Sequence, residues 1–243
     1  MQYLKYLAVF LAILSCKPEY TAQEIVDISI KNAGLEVLNN SELTFNFRNK
    51  SYAALRNDGN YNYSRVAKTD STVTNDVLSN NGFRRFINGE EVELTDKRVN
   101  QLSNSVNSVH YFSVLPYGLN DNAVKKKLLG TVSIKGVDYY KIEVTFNKEG
   151  GGDDFDDVFL YWFNKETLLL DYLAYKYHTS GGGIRFRDIK KEHKVNGTRF
   201  LDYQNLKPKT IDIDFYQIDK LYEEGSLLKV SDIELVNIQL SSK

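Results

Sequence analysis

Residues 158–163, Val-Phe-Leu-Tyr-Trp-Phe, are apolar at every position. A strand turns successive side chains to opposite faces of its sheet, so a strand with no polar alternate must be covered on both sides. Any fold for this chain therefore has to hold at least one central strand between two apolar layers.

The other extended segments alternate. Leu43, Phe45 and Phe47 interleave with Glu42, Thr44, Asn46 and Arg48, and Tyr140, Ile142, Val144 and Phe146 repeat the pattern later in the chain. Both are signatures of half-buried strands. Further strands are predicted near 50–56, 59–66, 72–78, 83–87, 168–177, 184–195 and 198–203. Asn88-Gly89 and Asn196-Gly197 supply the residue pairs that tight hairpins prefer. A content of 17 Tyr and 13 Phe suits β-structure and argues against disorder.

Helical spacing occurs in a few places. Thr21 stands three residues before Glu24 as a capping box, with Ile25, Ile28 and Ala33 following on one face and Gly34 as the stop. After Thr95, the residues Val99, Leu102, Val106 and Val109 recur at three- and four-residue steps and predict an amphipathic helix. A shorter helix is expected over 121–129, closed by Gly130. The tail from 210 to 241 reads as a strand, a short helix around 217–224 and a final strand. The expected fold class is α+β, with helices packed on one face of a large antiparallel sheet that closes or curls to protect its edges.

The N-terminus carries a location signal. Lys5 precedes an eight-residue apolar run at 7–14, followed by Ser15 and by Cys16, the one cysteine in the chain. A basic start, a short apolar centre and a small residue at a cleavage point describe a secretory signal peptide over 1–15. The run is far short of the roughly 20 residues that span a bilayer. Ile13-Leu14-Ser15-Cys16 resembles the lipobox of bacterial lipoproteins. That resemblance implies diacylglycerol on the Cys16 thiol and cleavage before it, and several acyl chains together give stable membrane attachment. Residues 16–20 would then be a lipidated tether and 21–243 one α+β domain. Lys17 follows the cysteine in place of the Asp associated with inner-membrane retention. The expected location is the outer membrane, facing the periplasm.

Three segments carry a wider resemblance: Val109-His110-Tyr111-Phe112 through Leu115-Pro116-Tyr117, residues 158–163 with Asn164, and Gly182-Gly183-Ile184-Arg185-Phe186-Arg187 through Asn196-Gly197-Thr198-Arg199-Phe200. Together they resemble an uncharacterised family of Bacteroidota lipoproteins, itself similar to the lipoprotein-localisation factors LolA and LolB. The likeness extends over most of 20–207 and leaves the tail 208–243 unmatched. It implies a curved antiparallel half-barrel whose concave apolar side is capped by helices and holds a lipid or other amphiphilic ligand. It implies no catalytic residues, and no cofactor is expected.

Phe45, Phe47, Ile142, Val144 and Trp162 are the candidate ligand-facing residues, their default role being core. Asp153, Asp154, Asp156 and Asp157 crowd one Gly-rich loop and could bind calcium, although their spacing departs from an EF-hand and a solvated hairpin loop explains them as well. His110, His178 and His193 are far apart for a zinc site, though His178 and His193 could face each other on neighbouring strands, while His110 reads as packed at a helix end. Arg84-Arg85, Arg185-Phe186-Arg187 and Lys190-Lys191 interleave charge with aromatics. That pattern serves anionic lipid, glycan or single-stranded nucleic acid, or is simply the polar side of strands. A net charge of −1 gives nucleic acid no electrostatic attraction. Nucleophile-elbow, phosphate-loop and His-Glu-x-x-His motifs are absent from the sequence. Ligand binding is expected ahead of two alternatives: a hydrolase acting on glycan or lipid, and a structural partner of an envelope complex.

Overall fold

The computed structural model describes residues 20–149 and 155–242. Cys16, the signal segment, most of the tether, and Asp153 and Asp154 lie outside the described residues.

The capping box forms as the sequence predicts. Thr21 Oγ1 accepts from the Glu24 backbone N–H at 3.2 Å, and Glu24 Oε2 accepts from the Thr21 N–H at 2.8 Å, opening α1 (Ala22–Asn32). Ile25, Val26 and Ile30 bury one face of α1. Gly34 then takes φ 67° and leads into a 3-10 turn, Leu35–Asn39.

Six strands follow as a meander: β1 (Asn40–Phe47), β2 (Lys50–Asn57), β3 (Asn60–Lys68), β4 (Val73–Ser79), β5 (Gly82–Ile87) and the short β6 (Glu90–Glu91). Asn88 and Gly89 both have positive φ, 53° and 91°, at the last hairpin, which is the backbone a two-residue turn with right-handed strand twist requires. The helix α2 (Asp96–Ser113) buries Leu102, Val106 and His110. A second meander runs β7 (Val124–Ile134), β8 (Val137–Phe146), β9 (Val158–Asn164), β10 (Leu170–Tyr177), β11 (Gly183–Val195) and β12 (Thr198–Lys207). A 3-10 turn at Phe215–Gln217, α3 (Ile218–Glu223), β13 (Leu228–Ile233) and β14 (Leu235–Ser242) complete the chain.

The strands form two seven-stranded antiparallel sheets, in the orders β14-β1-β2-β3-β4-β5-β6 and β13-β12-β11-β10-β9-β8-β7. Glu234 alone separates β13 from β14, so the chain steps from the edge of one sheet to the edge of the other there. The two sheets are thus joined as an unclosed, curved surface, and the last strand pairs with the first, Leu43 opposite Leu240.

The apolar side chains segregate into two layers. One holds Ile25, Leu35, Leu43 and Phe45 together with Ile142, Val144, Tyr161, Phe163, Leu173 and Phe200, between the sheets and beneath α1 and α2. The other, on the opposite face of the second sheet, holds Leu160, Trp162, Ala174 and Phe186 under Phe215, Ile218 and Tyr222. The strand β9 is covered on both faces, as its sequence demands, with Tyr161, Trp162 and Phe163 each fully buried. Each large side chain buried in this way contributes about 1.5–3 kcal/mol.

Three expectations are corrected. Residues 121–129 are not helical: β7 starts at Val124, and Gly130 (φ 121°) sits at a bulge in its pairing with β8. The Lys-rich alternation of β7 leaves one face exposed, which an amphipathic-helix reading of so short a segment does not distinguish. No strand precedes the helix of the tail, since 208–214 lack regular structure. The helices also do not share one face, because α3 packs on the side of the second sheet away from α1 and α2.

Candidate functional site

The site grows out of the position of α2. Its middle is tied to the first sheet: Arg65 Nη1 donates to Ser105 Oγ at 2.6 Å, and His110 Nε2 lies 3.1 Å from the Ser64 carbonyl. Its last turn, which carries His110, also reaches the second sheet. Phe112 packs on Tyr175 of β10, ring centroids 5.4 Å apart, and on Phe159 of β9 at 6.4 Å. Tyr111 and Tyr161 bring their hydroxyls within 3.3 Å. Because α2 bridges the sheets without filling the space between them, a cavity of about 430 Å³ remains beneath its C-terminal half. That volume falls within the range of small-molecule sites, about 300–1,000 Å³.

The cavity wall is largely aromatic and aliphatic. Val109 and Phe112 line it from α2, Phe146 and Phe159 from β8 and β9, and Tyr175 and Tyr177 from β10. Leu201 and Tyr203 of β12, Ile233 and Leu235 at the sheet junction, and Phe47 at the end of β1 complete the apolar part. Asn104, Asn107 and Ser108 add neutral polar groups along α2. The charged side chains in the lining are Asp157, Arg185 and Arg187.

Arg187 is 7% exposed. Its guanidinium carbon lies 3.9 Å from the centre of the Phe112 ring, 5.3 Å from that of Tyr175 and 5.9 Å from that of Tyr203. Nη2 donates to the Tyr175 hydroxyl at 3.2 Å, while Nε and Nη1 are buried without a hydrogen-bond partner. The nearby phenols do not supply a counter-charge: burial pushes Tyr203 up to about 12 and holds Tyr161 well above the ordinary tyrosine value. Arg185 has its own local partners, donating to the Ile184 carbonyl at 2.9 Å and lying over Tyr177 at 5.3 Å.

The sequence-selected ligand residues do not share one surface. Phe47 borders the cavity. Phe45 lies in the core, stacked on Tyr52 at 5.3 Å, and Ile142 and Val144 are fully buried. Trp162 belongs to the other face of β9, where its Nε1 donates to Asp219 at 3.4 Å beneath α3. Alternation alone cannot say which face of a strand meets which layer, and Trp162 is the residue for which that matters.

The loop before β9 meets the end of β10. The Asp157 carboxylate accepts from the His178 backbone N–H at 3.2 Å, and His178 Nδ1 lies 3.6 Å from Asp157 and 3.7 Å from Asp156. Ligating atoms of these three residues fall within 4.8 Å of one another. Asp156 and His178 are about half exposed, with side-chain exposures of 54% and 51%. Asp157 is buried while its two neighbours are solvated, and the closing of the loop onto β10 explains the cluster. His193 does not face His178: β10 pairs only with the first half of β11, and His193 instead contacts Asp202 at 2.8 Å. His110 is wholly buried, stacked on Tyr63 at 4.6 Å, and desolvation lowers its pKa to about 3. Arg84 is paired with Glu91, Arg85 with Asp76 at 2.6 Å, and Lys190 with Asp232 at 2.9 Å and Glu234 at 2.7 Å. Those basic residues are therefore engaged within the protein.

Sequence reasoning placed Arg187 on a basic strand face and missed its position on the cavity wall. The signal was present in the alternation, since Phe186 is fully buried between two arginines that share the opposite side of β11.

An open, curved antiparallel sheet with helices against it and a cavity beneath one of them defines the LolA-like class of fold. A LolA superfamily protein from Nitrosomonas europaea superposes with a TM-score of 0.51 at 11% identity, over 93% of this chain and 96% of that one. A DUF1329 family protein from Desulfovibrio piger gives a TM-score of 0.51 at 12% identity, over 90% of this chain and 92% of that one. Residues 4–235 match the family of unknown function DUF6503, and the chain belongs to that family. No curated protein matches it in sequence. Among the described residues, no helix is long and apolar enough to cross a membrane.

Proposed function

We propose that this protein is an envelope lipoprotein, anchored through Cys16 and exported by the signal peptide 1–15, that carries an apolar or amphiphilic ligand in the cavity beneath α2. The observation that carries this reading is the cavity: about 430 Å³ of space lined by Val109, Phe112, Phe159, Leu201 and their neighbours, left open between a bridging helix and a curved sheet. A packed interior normally leaves few voids larger than a water molecule. The LolA-like fold supports the same reading, as does the lipobox-like sequence before Cys16. The anchor sits in the outer membrane on its periplasmic side, and the short tether keeps α1 and the cavity close to a source of lipid.

Native mass spectrometry tests the proposal. The chain carrying Cys16→Ala, purified without detergent, is expected to retain one amphiphile as a discrete mass adduct that organic extraction removes. A homogeneous ligand-free mass, together with no uptake of added fatty acid, would contradict it.

A further inference from the structure

We infer that Arg187 receives the anionic headgroup of a single-tailed amphiphile whose tail occupies the aromatic part of the cavity. This rests on the ligand-binding reading above and narrows the ligand by chemical class.

The argument starts from the cost of the guanidinium. A buried cation loses most of its hydration and is costly unless paired and hydrogen-bonded. Arg187 is 7% exposed, and no carboxylate pairs with it among the described residues. The rings of Phe112, Tyr175 and Tyr203 compensate in part through their π faces. Yet Arg187 can donate five hydrogen bonds and makes one, to the Tyr175 hydroxyl, leaving Nε and Nη1 without partners. A donor set that is buried, charged, unpaired and set on a cavity wall is completed by an anion.

The rest of the lining selects the anion's remainder. Arg185 and Arg187 against Asp157 leave the wall with an excess of one positive charge. Asp157 accepts from the His178 backbone N–H and lies beside the His178 ring, and it forms no ion pair with Arg187 among the described residues. Beyond the guanidinium the wall includes Phe112, Phe146, Phe159 and Leu201, which suit an alkyl tail, with Asn104, Asn107 and Ser108 confined to the α2 side. A cavity of about 430 Å³ is small for a lipid with several chains. Carboxylate and phosphate headgroups share the required chemistry, since both accept charge-assisted hydrogen bonds from guanidinium.

Titration calorimetry on the full chain carrying Cys16→Ala separates the possibilities. Laurate, dodecyl phosphate, dodecanol and acetate are the probes. Laurate or dodecyl phosphate should bind about tenfold or more tighter than dodecanol, as expected for one hydrogen-bonded charge pair. Arg187→Gln should bring laurate to within about threefold of dodecanol, while Arg187→Lys keeps a preference for the anions. If Arg187→Gln fails to fold, the headgroup comparison in the unaltered cavity still decides the matter. Equal binding of dodecanol and laurate overturns the inference and leaves the ligand-binding proposal standing. An anion preference unchanged in Arg187→Gln, or acetate binding as tightly as laurate, overturns it as well. Failure of every tailed probe to bind overturns both.

Discussion

The guanidinium carbon of Arg187 lies 3.9 Å from the centre of the Phe112 ring, so the last turn of α2 and the strand β11 are joined by a cation and a π face across the cavity. This contact ties α2 to the second sheet at the wall of the cavity. Phe112→Leu keeps apolar bulk but removes the ring. It should lower stability by about 0.5–2 kcal/mol, the range for a partly to fully desolvated cation–π pair. Urea unfolding with an unchanged m-value would register the loss as stability alone.

The second layer depends on one buried ion pair. Lys141 Nζ contacts both oxygens of Asp219 at 3.0 Å and donates to the Tyr216 carbonyl at 2.6 Å, with both side chains 7% exposed. Asp219→Ala strands the ammonium and should cost about 3–5 kcal/mol, whereas Asp219→Leu combined with Lys141→Met should recover most of it. Thermal unfolding of the single and double variants provides the comparison. A double variant no more stable than the single would show that α3 needs the charges themselves.

His110 makes stability depend on pH in a defined direction. Desolvation lowers its pKa from 6.5 to about 3, so the folded protein keeps it neutral where the unfolded chain already binds a proton. The unfolded state is thereby favoured as pH falls from about 6.5 to about 3, with a slope near 1.4 kcal/mol per pH unit from this group. Asp76 acts in the same sense further into acid: burial opposes its ionisation, but hydrogen bonds from Arg85 and Arg65 outweigh burial and hold the carboxyl below its usual range. Stability present above the ordinary carboxylate pKa is therefore lost as Asp76 protonates. A His110→Gln variant should show a flatter stability profile between pH 6.5 and pH 4 in chemical denaturation.

Gly34 marks the approach of α1 to the β11–β12 hairpin. It has φ 67°, and a Cβ there would stand 2.5 Å from the Gly197 carbonyl oxygen. Thr198 Oγ1 donates to the Gly34 carbonyl at 2.9 Å and the Arg199 N–H donates to the Ala33 carbonyl at 2.8 Å, which fixes the spacing. Gly34→Ala should destabilise by about 1–3 kcal/mol, combining left-handed backbone strain with the clash. A melting temperature equal to that of the parent chain would mean that the hairpin moves freely.

Membrane attachment is predicted to rest on Cys16. Cys16→Ala should release the protein into the soluble fraction with unchanged circular dichroism. Retention of the variant on membranes after a salt wash would contradict the assignment of the anchor.

What the sequence made legible is local. The covered strand β9, the Thr21–Glu24 capping box and the Asn88-Gly89 turn each follow from a few neighbouring residues whose chemistry leaves little choice. The failures concern relations between distant segments. Nothing near residue 240 indicates that Leu240 pairs with Leu43, and nothing in the alternation of β9 says that Trp162 faces α3 while Tyr161 faces α2. Likewise, Arg187 reads as a polar strand residue until the fold sets Phe112 over it. The cavity is made by the way α2 bridges two sheets, and that arrangement is not written in any one window of the chain.

The most direct measurement of the central claim is titration with the fluorescent apolar probe N-phenyl-1-naphthylamine, comparing the chain carrying Cys16→Ala with the same chain also carrying Val109→Trp. Val109 lines the cavity from α2, so an indole at that position fills the space the probe would take. Saturable fluorescence enhancement in the first protein and its loss in the second, with both equally folded by circular dichroism, is the predicted result. Equal probe binding by both, or none by either, would contradict the assignment of the cavity beneath α2 as the ligand site.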